Sequence, residues 1–129
     1  MTPMIWKPEY AIHDDRVDSQ HQSLFDLFNR VCKADPGSVD QERLIHDLYA
    51  YAVFHFAEEE ALMATEHYPK ADFERHRQCH TEFFAAIQRL RHEPLDSLLR
   101  FFQDWLVQHI LTDDRAIGEF LIASATSNH

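Results

Sequence analysis

Histidine and glutamate residues recur at helical spacing in this sequence of 129 residues. His76 and His80 are four residues apart, and His55 and Glu59 share that spacing. Because residues four apart lie on one face of an α-helix, each pair would present two metal-binding groups one turn apart. One such pair is a modest signal, but further histidines accompany these two on other apolar stripes. The pattern indicates a metal site built from several helices.

Four amphipathic stretches predict the helices that would carry these side chains, at about residues 18–34, 39–66, 70–92 and 95–122. Residues 1–17 would form an irregular N-terminal arm. The connections between the stretches are short, which favours antiparallel neighbours. The sequence therefore predicts a single all-α domain over residues 1–129, an antiparallel up-down-up-down four-helix bundle.

Local signals set the expected ends of the first two helices. Asp18 is a residue type that often caps a helix N-terminus, so the first helix is expected to start near it. The segment Asp35-Pro36-Gly37 would end that helix. Ser38 followed by Gln41 predicts a capping box at the start of the second.

Polar residues interrupt the apolar stripe of every predicted helix. Burying such groups without partners costs a few kcal/mol each, so several of them on four helices are expected to meet around metal. The zinc-protease motif H-E-x-x-H is absent here, because Arg77 stands where the glutamate would be. The polar residues on these stripes are His21, His55, Glu59, His76, His80 and His109.

Composition restricts the other partners. A formal net charge of −10 without a Lys/Arg cluster argues against nucleic acid. The longest apolar run is the seven residues from Leu48 to Phe54, too short to span a membrane, and no secretory signal is visible. Two cysteines do not make a disulfide framework, and we expect a cytoplasmic protein.

The combined pattern resembles the hemerythrin family, specifically its single-domain bacterial members. Trp6 in the arm also looks like the N-terminal tryptophan of that family. The resemblance covers nearly the whole chain and implies a four-helix bundle around two iron ions. The segments that carry it are Asp18-Ser-Gln-His21, His55-Phe-Ala-Glu-Glu59 with Leu62-Met63, His76-Arg-Gln-Cys-His80, and Trp105 to Asp114.

The resemblance also implies a ligand for each iron position. His21 and His55 would bind one iron, and His76, His80 and His109 the other. Glu59 and Asp114 would bridge both ions (Fe²⁺ or Fe³⁺), together with an oxo or hydroxo group. The iron held by two histidines would then keep an open position, where dioxygen would bind. Imidazole and carboxylate suit iron, although manganese or zinc would also bind.

Two ligand assignments have a neighbouring rival. Asp114 is five residues after His109, roughly 140° away on an ideal helix, whereas Asp113 would lie on the better face. The family uses the fifth residue, so we favour Asp114 and predict a kink or π-type turn near Thr112. Glu58 is the lesser rival of Glu59, because only Glu59 lies four residues after His55.

Apolar residues near the ligands have two possible roles. Phe56, Trp105 and Ile110 would fill the bundle core in either case, and we expect them also to wall a dry oxygen pocket. Cys79 is expected to pack rather than ligate, and Cys32 to belong to the core. The remaining histidines fall off the stripes or at the ends and are expected in solvent: His13, His46, His67, His92 and His129.

These expectations favour a non-haem di-iron protein that stores, carries or delivers dioxygen, without catalytic residues of its own. One alternative is an oxygen or redox sensor acting through a separate signalling partner. Another is a di-iron enzyme that handles peroxide or nitric oxide. An oxygenase that receives the oxygen is a further candidate partner.

Overall fold

The computed structural model describes residues 2–127, with side chains through residue 126. Within that range the chain is helical without strands, which confirms the all-α bundle. The first three rods are α1 (Asp15–Lys33), α2 (Val39–Thr65) and α3 (Lys70–Leu90). The fourth rod consists of α4 (Leu95–His109), a π-helical turn (Ile110–Asp114) and α5 (Arg115–Ser127).

The start of α1 differs from the sequence prediction, so the arm ends before residue 17. Asp14 caps the helix, because its side chain accepts a hydrogen bond from the Val17 amide at 3.0 Å. Asp18 lies inside the first turn, and its carboxylate turns back to the arm. It accepts hydrogen bonds from the amides of Ile12 (2.9 Å) and His13 (3.2 Å). Asp18 therefore fixes the arm rather than the helix terminus.

The other helix ends follow local hydrogen bonding. Ser38 caps α2, as predicted, because its side chain accepts a hydrogen bond from the Gln41 amide. The Gln41 side chain does not complete the capping box. It accepts a hydrogen bond from the Gly37 amide and donates one to the Val31 carbonyl. α3 ends at Leu90, two residues early, where the Glu93 amide bonds to the Leu90 carbonyl ahead of Pro94. The fourth rod continues to Ser127, beyond the predicted residue 122.

The N-terminal arm lies along the bundle. Asn29 binds both backbone groups of Met4, and the ring of Trp6 packs edge-on against Phe25. Farther along, Ile12 lies so close to Gly118 that a Cβ at this glycine would collide with the Ile12 carbonyl oxygen. The arm is thus attached at both ends of the bundle.

Apolar side chains fill one half of the bundle interior. This apolar half is formed by the end of α1, the start of α2, the end of α3 and the start of α4, where Phe28 stacks on Phe102. No helix within residues 2–127 has the length and apolarity that crossing a membrane requires. The opposite ends of the same helices form the other half, which contains the polar residues of the stripes.

Candidate metal centre

Antiparallel packing brings the start of α1, the end of α2, the start of α3 and the end of the fourth rod together in the second half of the bundle. All seven predicted ligands meet there, and their side chains are between 0 and 3% exposed. Their donor atoms form two groups, one of three imidazoles and one of two. We call the first the three-imidazole position (His76, His80, His109) and the second the two-imidazole position (His21, His55).

At the three-imidazole position, the Nε2 atoms of the three rings converge on one point. His109 Nε2 lies 3.1 Å from His76 Nε2 and 3.2 Å from His80 Nε2. Glu59 Oε1 lies 3.1 Å from His80 Nε2 and 3.3 Å from His76 Nε2. Asp114 Oδ1 is 3.2 Å from both His76 and His109. Five donor atoms therefore surround this position.

At the two-imidazole position, the other oxygens of the same carboxylates take part. Glu59 Oε2 lies 3.2 Å from His55 Nε2 and 3.4 Å from His21 Nε2. Asp114 Oδ2 lies 3.0 Å from His21 Nε2. Each carboxylate thus directs one oxygen to each position. The second position has four protein donors, one fewer than the first.

The spacing of the donors fits metal ions better than it fits mutual hydrogen bonding. Bonds of about 2.1 Å to a metal place neighbouring octahedral ligands about 3.0 Å apart and opposite ones about 4.2 Å apart. The contacts at the three-imidazole position are 3.1–3.3 Å, with 4.0 Å between His109 Nε2 and Glu59 Oε1. Five buried atoms that face the two positions have no aligned hydrogen-bond partner: His21 Nε2, His55 Nε2, Glu59 Oε2, Asp114 Oδ1 and Asp114 Oδ2.

The charges at the centre are strongly coupled. Burial alone would lower the pKa of His21, but the carboxylates of Asp114 and Glu59 raise it to about 9. The same two carboxylates raise the pKa of His76 to about 9 against burial. Burial would raise the pKa values of Glu59 and Asp114, but the histidines around them hold both below the usual range. A metal ion binding here has to displace these protons.

The π-helical turn brings Asp114 to the centre. It spans Ile110–Asp114, which confirms the turn predicted near Thr112. The wider turn compensates for the angle that five residues would otherwise open between His109 and Asp114. Asp113 lies outside the centre, where its carboxylate accepts a hydrogen bond from His109 Nδ1 at 3.1 Å. This bond and the charges of His109 and His76 lower the pKa of Asp113, although burial acts in the opposite direction.

Two further side chains hold the imidazoles from outside, and the sequence analysis did not identify them. Gln20 accepts a hydrogen bond from His55 Nδ1 at 2.7 Å, and Glu60 accepts one from His80 Nδ1 at 3.0 Å. Such outer hydrogen bonds orient ligand rings and fix their tautomers. Gln20 lies four residues before Leu24, so helical periodicity placed it on the buried face of α1. Glu60 follows a ligand directly and carries no comparable signal.

The predicted oxygen-pocket residues lie against the imidazoles. Phe56 stacks on His80 with ring centroids 4.0 Å apart, and Trp105 stacks on His109 at 4.4 Å. Ile110 is 1% exposed and belongs to the core. The two aromatic rings therefore cover the three-imidazole position most closely, and Phe56 also lies 5.6 Å from the ring of His55.

Other candidate residues lie away from the centre. Glu58 forms an ion pair with Arg16 on the surface, with 3.7 Å between the charged atoms. Cys79 is partly buried on α3, and Cys32 packs against the core. His129 lies outside the described residues. The remaining histidines predicted in solvent are exposed: His13, His46, His67 and His92.

Comparison with known proteins gives consistent matches. Residues 13–121 match the family described as Hemerythrin HHE cation binding domain. The chain is similar to myohemerythrin of Riftia pachyptila, 33% identical over 109 residues, which cover 84% of this chain and 86% of the relative. It is also similar to bacteriohemerythrin of Methylococcus capsulatus, 31% identical, with 95% of this chain and 100% of the relative covered.

A solved structure shares the fold. The crystal structure of a leucine-to-phenylalanine mutant superimposes with a TM-score of 0.79 at 29% identity. The match covers 92% of this chain and 97% of the other. The family match includes all seven residues of the centre, from His21 to Asp114.

Proposed function

This chain belongs to the hemerythrin family, and on that premise we propose that it is a non-haem di-iron protein that binds dioxygen reversibly. Two buried donor groups that share both oxygens of Glu59 and of Asp114 support this function most directly. Imidazole and carboxylate donors suit iron. Two ferrous ions held there would supply the electrons on which reversible dioxygen binding depends.

We assign each side chain of the centre a role. His76, His80 and His109 would hold one iron, and His21 and His55 the other. Glu59 and Asp114 would bridge the two ions, because each directs one oxygen to each position. The two-imidazole position has one protein donor fewer, so a small ligand would find room there.

The residues around the centre would keep it dry. Phe56 and Trp105 cover imidazoles with aromatic rings, and Ile110 closes the core beside His109. An apolar wall around a metal centre controls solvent access and protects bound dioxygen from side reactions. We propose storage, carriage or delivery of dioxygen as the role, because no described residue of the centre adds a separate acid or base beyond the ligands and their hydrogen-bond partners.

Anaerobic loading with ferrous iron tests this proposal. We expect about two irons per chain and a visible charge-transfer band that appears with dioxygen and disappears when dioxygen is removed. Irreversible bleaching with turnover of peroxide or nitric oxide would instead support a di-iron enzyme. Partner proteins that bind only the reduced or only the oxygenated form would support a sensor. A chain that holds no iron would contradict the proposal.

A matched pair of variants tests the bridging role. Glu59→Ala removes one oxygen donor from each position and is expected to reduce the iron content to less than one per chain. Glu58→Ala changes the adjacent carboxylate, which faces Arg16 at the surface, and is expected to leave two irons bound. Equal iron content in the two variants would contradict the assignment of Glu59.

A further inference from the structure

The outer hydrogen bonds of the imidazoles differ between the two metal positions. At the three-imidazole position, His80 and His109 donate their Nδ1 protons to the carboxylates of Glu60 and Asp113. At the two-imidazole position, His55 donates its Nδ1 proton to the side-chain amide of Gln20. His21 Nδ1 is buried, and no hydrogen-bond partner is found for it within the described residues. The first position thus has two anionic acceptors, and the second has one neutral acceptor.

The Gln20 bond is built into the fold. It is 2.7 Å long, it joins α1 to α2 across 35 residues of sequence, and Gln20 is only 6% exposed. His55 Nε2 points to the metal position, beside Glu59 Oε2 at 3.2 Å. When Nε2 binds a metal, the single proton of the neutral ring lies on Nδ1, where the Gln20 oxygen accepts it. Gln20 therefore selects the tautomer in which Nε2 can bind metal.

The charge of the acceptor affects the metal. An imidazole that donates to a carboxylate is a more basic ligand than one that donates to a neutral amide. Glu60 also contacts Arg77, with 3.4 Å between the charged atoms, so its carboxylate is held in place at the edge of the centre. His80 and His109 are consequently the stronger donors and His55 the weaker one.

We propose that Gln20 is a positioning residue for His55, and that its neutral amide makes the two-imidazole position the weaker and more exchangeable of the two metal positions. This inference rests on the proposed two-metal centre. It concerns the difference between the two positions and a residue outside the seven that would hold the metals.

Cobalt(II) binding measures this difference without dioxygen chemistry. We expect the wild-type chain to bind two ions in two steps, followed by visible absorption and by competition with a chelator. Gln20→Ala is expected to weaken only the second step, by about 10- to 100-fold, the range that loss of an outer hydrogen bond to a metal ligand typically causes. Gln20→Glu keeps the acceptor and adds charge, so it is expected to strengthen that step.

Two control variants separate this role from packing and from charge in general. Gln22→Glu adds the same charge at an exposed site of α1 and is expected to change neither step. Glu60→Gln removes a carboxylate acceptor from the other position and is expected to weaken only the first step. If Gln20 had only a structural role, Gln20→Ala and Gln20→Glu would both lower the thermal stability. They would not change the affinity of the second binding step in opposite directions.

The outcomes distinguish this inference from the proposed function. If the wild-type chain binds no metal, both are overturned. If it binds two ions and both Gln20 variants leave the two steps unchanged, or change them equally, the inference about Gln20 is overturned and the two-metal centre stands.

Discussion

In the apolar half of the bundle, Phe28, Phe83 and Phe102 pack with aliphatic neighbours, and the interior contains few polar atoms. In the other half, which we call the metal half, the seven residues of the centre replace those side chains. Both halves use the same four helical rods, because antiparallel packing places the start of one rod beside the end of the next. Burial of apolar surface stabilises the first half whether or not metal is present.

The metal half depends on what lies between its polar groups. Carboxylates and imidazoles buried at 0–3% exposure cost free energy unless they are paired with one another or with an ion. Five of their atoms lack an aligned hydrogen-bond partner, so contacts within the protein leave this requirement partly unmet. The comparison teaches that apolar burial stabilises one half, whereas the polar groups of the other half need partners, which an ion between them would supply.

Removal of metal should produce the largest effect. Two ions, each present at about a thousand times its dissociation constant, stabilise the folded state by about 8 kcal/mol in total. We expect denaturant unfolding to show a loss of this order after chelation. Hydrogen exchange should then accelerate in the metal half, around His21, His55 and His109, more than around Phe28 and Phe102. Uniform acceleration in both halves would contradict the comparison.

A cavity in the apolar half should show the converse behaviour. Phe28 is fully buried, so Phe28→Ala is expected to cost about 3–5 kcal/mol of unfolding free energy. The iron content should remain at two per chain, because Phe28 lies in the apolar half, where its ring stacks on Phe102. Metal analysis beside urea unfolding checks both statements. Loss of iron in a variant that is still folded would mean that the halves are not separable in this way.

The same division explains how much the sequence could predict. The apolar half follows a regular helical period, which predicted the bundle and its rods. The polar residues His55, Glu59, His76 and His80 stood out because they occupy positions of that period where apolar residues are expected. Asp114 needed the family resemblance, since an ideal helix would have favoured Asp113, and the π-helical turn that reconciles its position is confirmed by the structure.

Tertiary contacts account for what the sequence did not show. Gln20 and Glu60 act across helix interfaces, and no local spacing relates them to His55 or His80. The predicted start of α1 was wrong because Asp14 and Asp18 are equally good capping residues by type. The arm decides between them, since the backbone amides of Ile12 and His13 engage Asp18 and leave Asp14 to cap the helix.

Proton binding sharpens the comparison further. The raised pKa values of His21 and His76, both about 9, mean that their pairing with Glu59 and Asp114 stabilises the metal-free chain fully below about pH 6.5. That contribution, roughly 3 kcal/mol for His21 alone, is lost as the pH rises through about 9. The lowered pKa values of Glu59 and Asp114 mean that stability is also lost in acid, below the ordinary carboxylate range.

The measurement is the unfolding free energy of chelated protein from pH 5 to pH 10. We expect a decrease above pH 6.5 for the wild-type chain, and the same decrease for Phe28→Ala, displaced by a constant loss, because this variant keeps the paired groups of the metal half. Metal affinity should move in the opposite direction, because binding displaces protons and is favoured at higher pH. Metal-free stability that increases between pH 7 and pH 9 would contradict the assigned pairing.

The smallest expected effect concerns the arm where it meets the apolar half. Asn29 accepts a hydrogen bond from the Met4 amide at 2.7 Å and donates one to the Met4 carbonyl at 2.8 Å. Each partly buried bond contributes about 1 kcal/mol, so Asn29→Ala is expected to cost about 1–2 kcal/mol. Asp26→Ala, an exposed change on the same helix, serves as the control and is expected to cost less than about 0.5 kcal/mol.

The informative comparison is between the metal-loaded and the metal-free chain. If the two halves are stabilised independently, Asn29→Ala lowers the unfolding free energy by the same amount in the metal-loaded and the metal-free chain, because effects at separate sites add. The arm also contacts the metal half, where Ile12 packs against Gly118 and the Glu9 carbonyl accepts a hydrogen bond from Arg115 at 2.7 Å. A larger loss of unfolding free energy in the metal-free chain would show that the arm couples the two halves. The division between the halves would then hold for the helices but not for the arm.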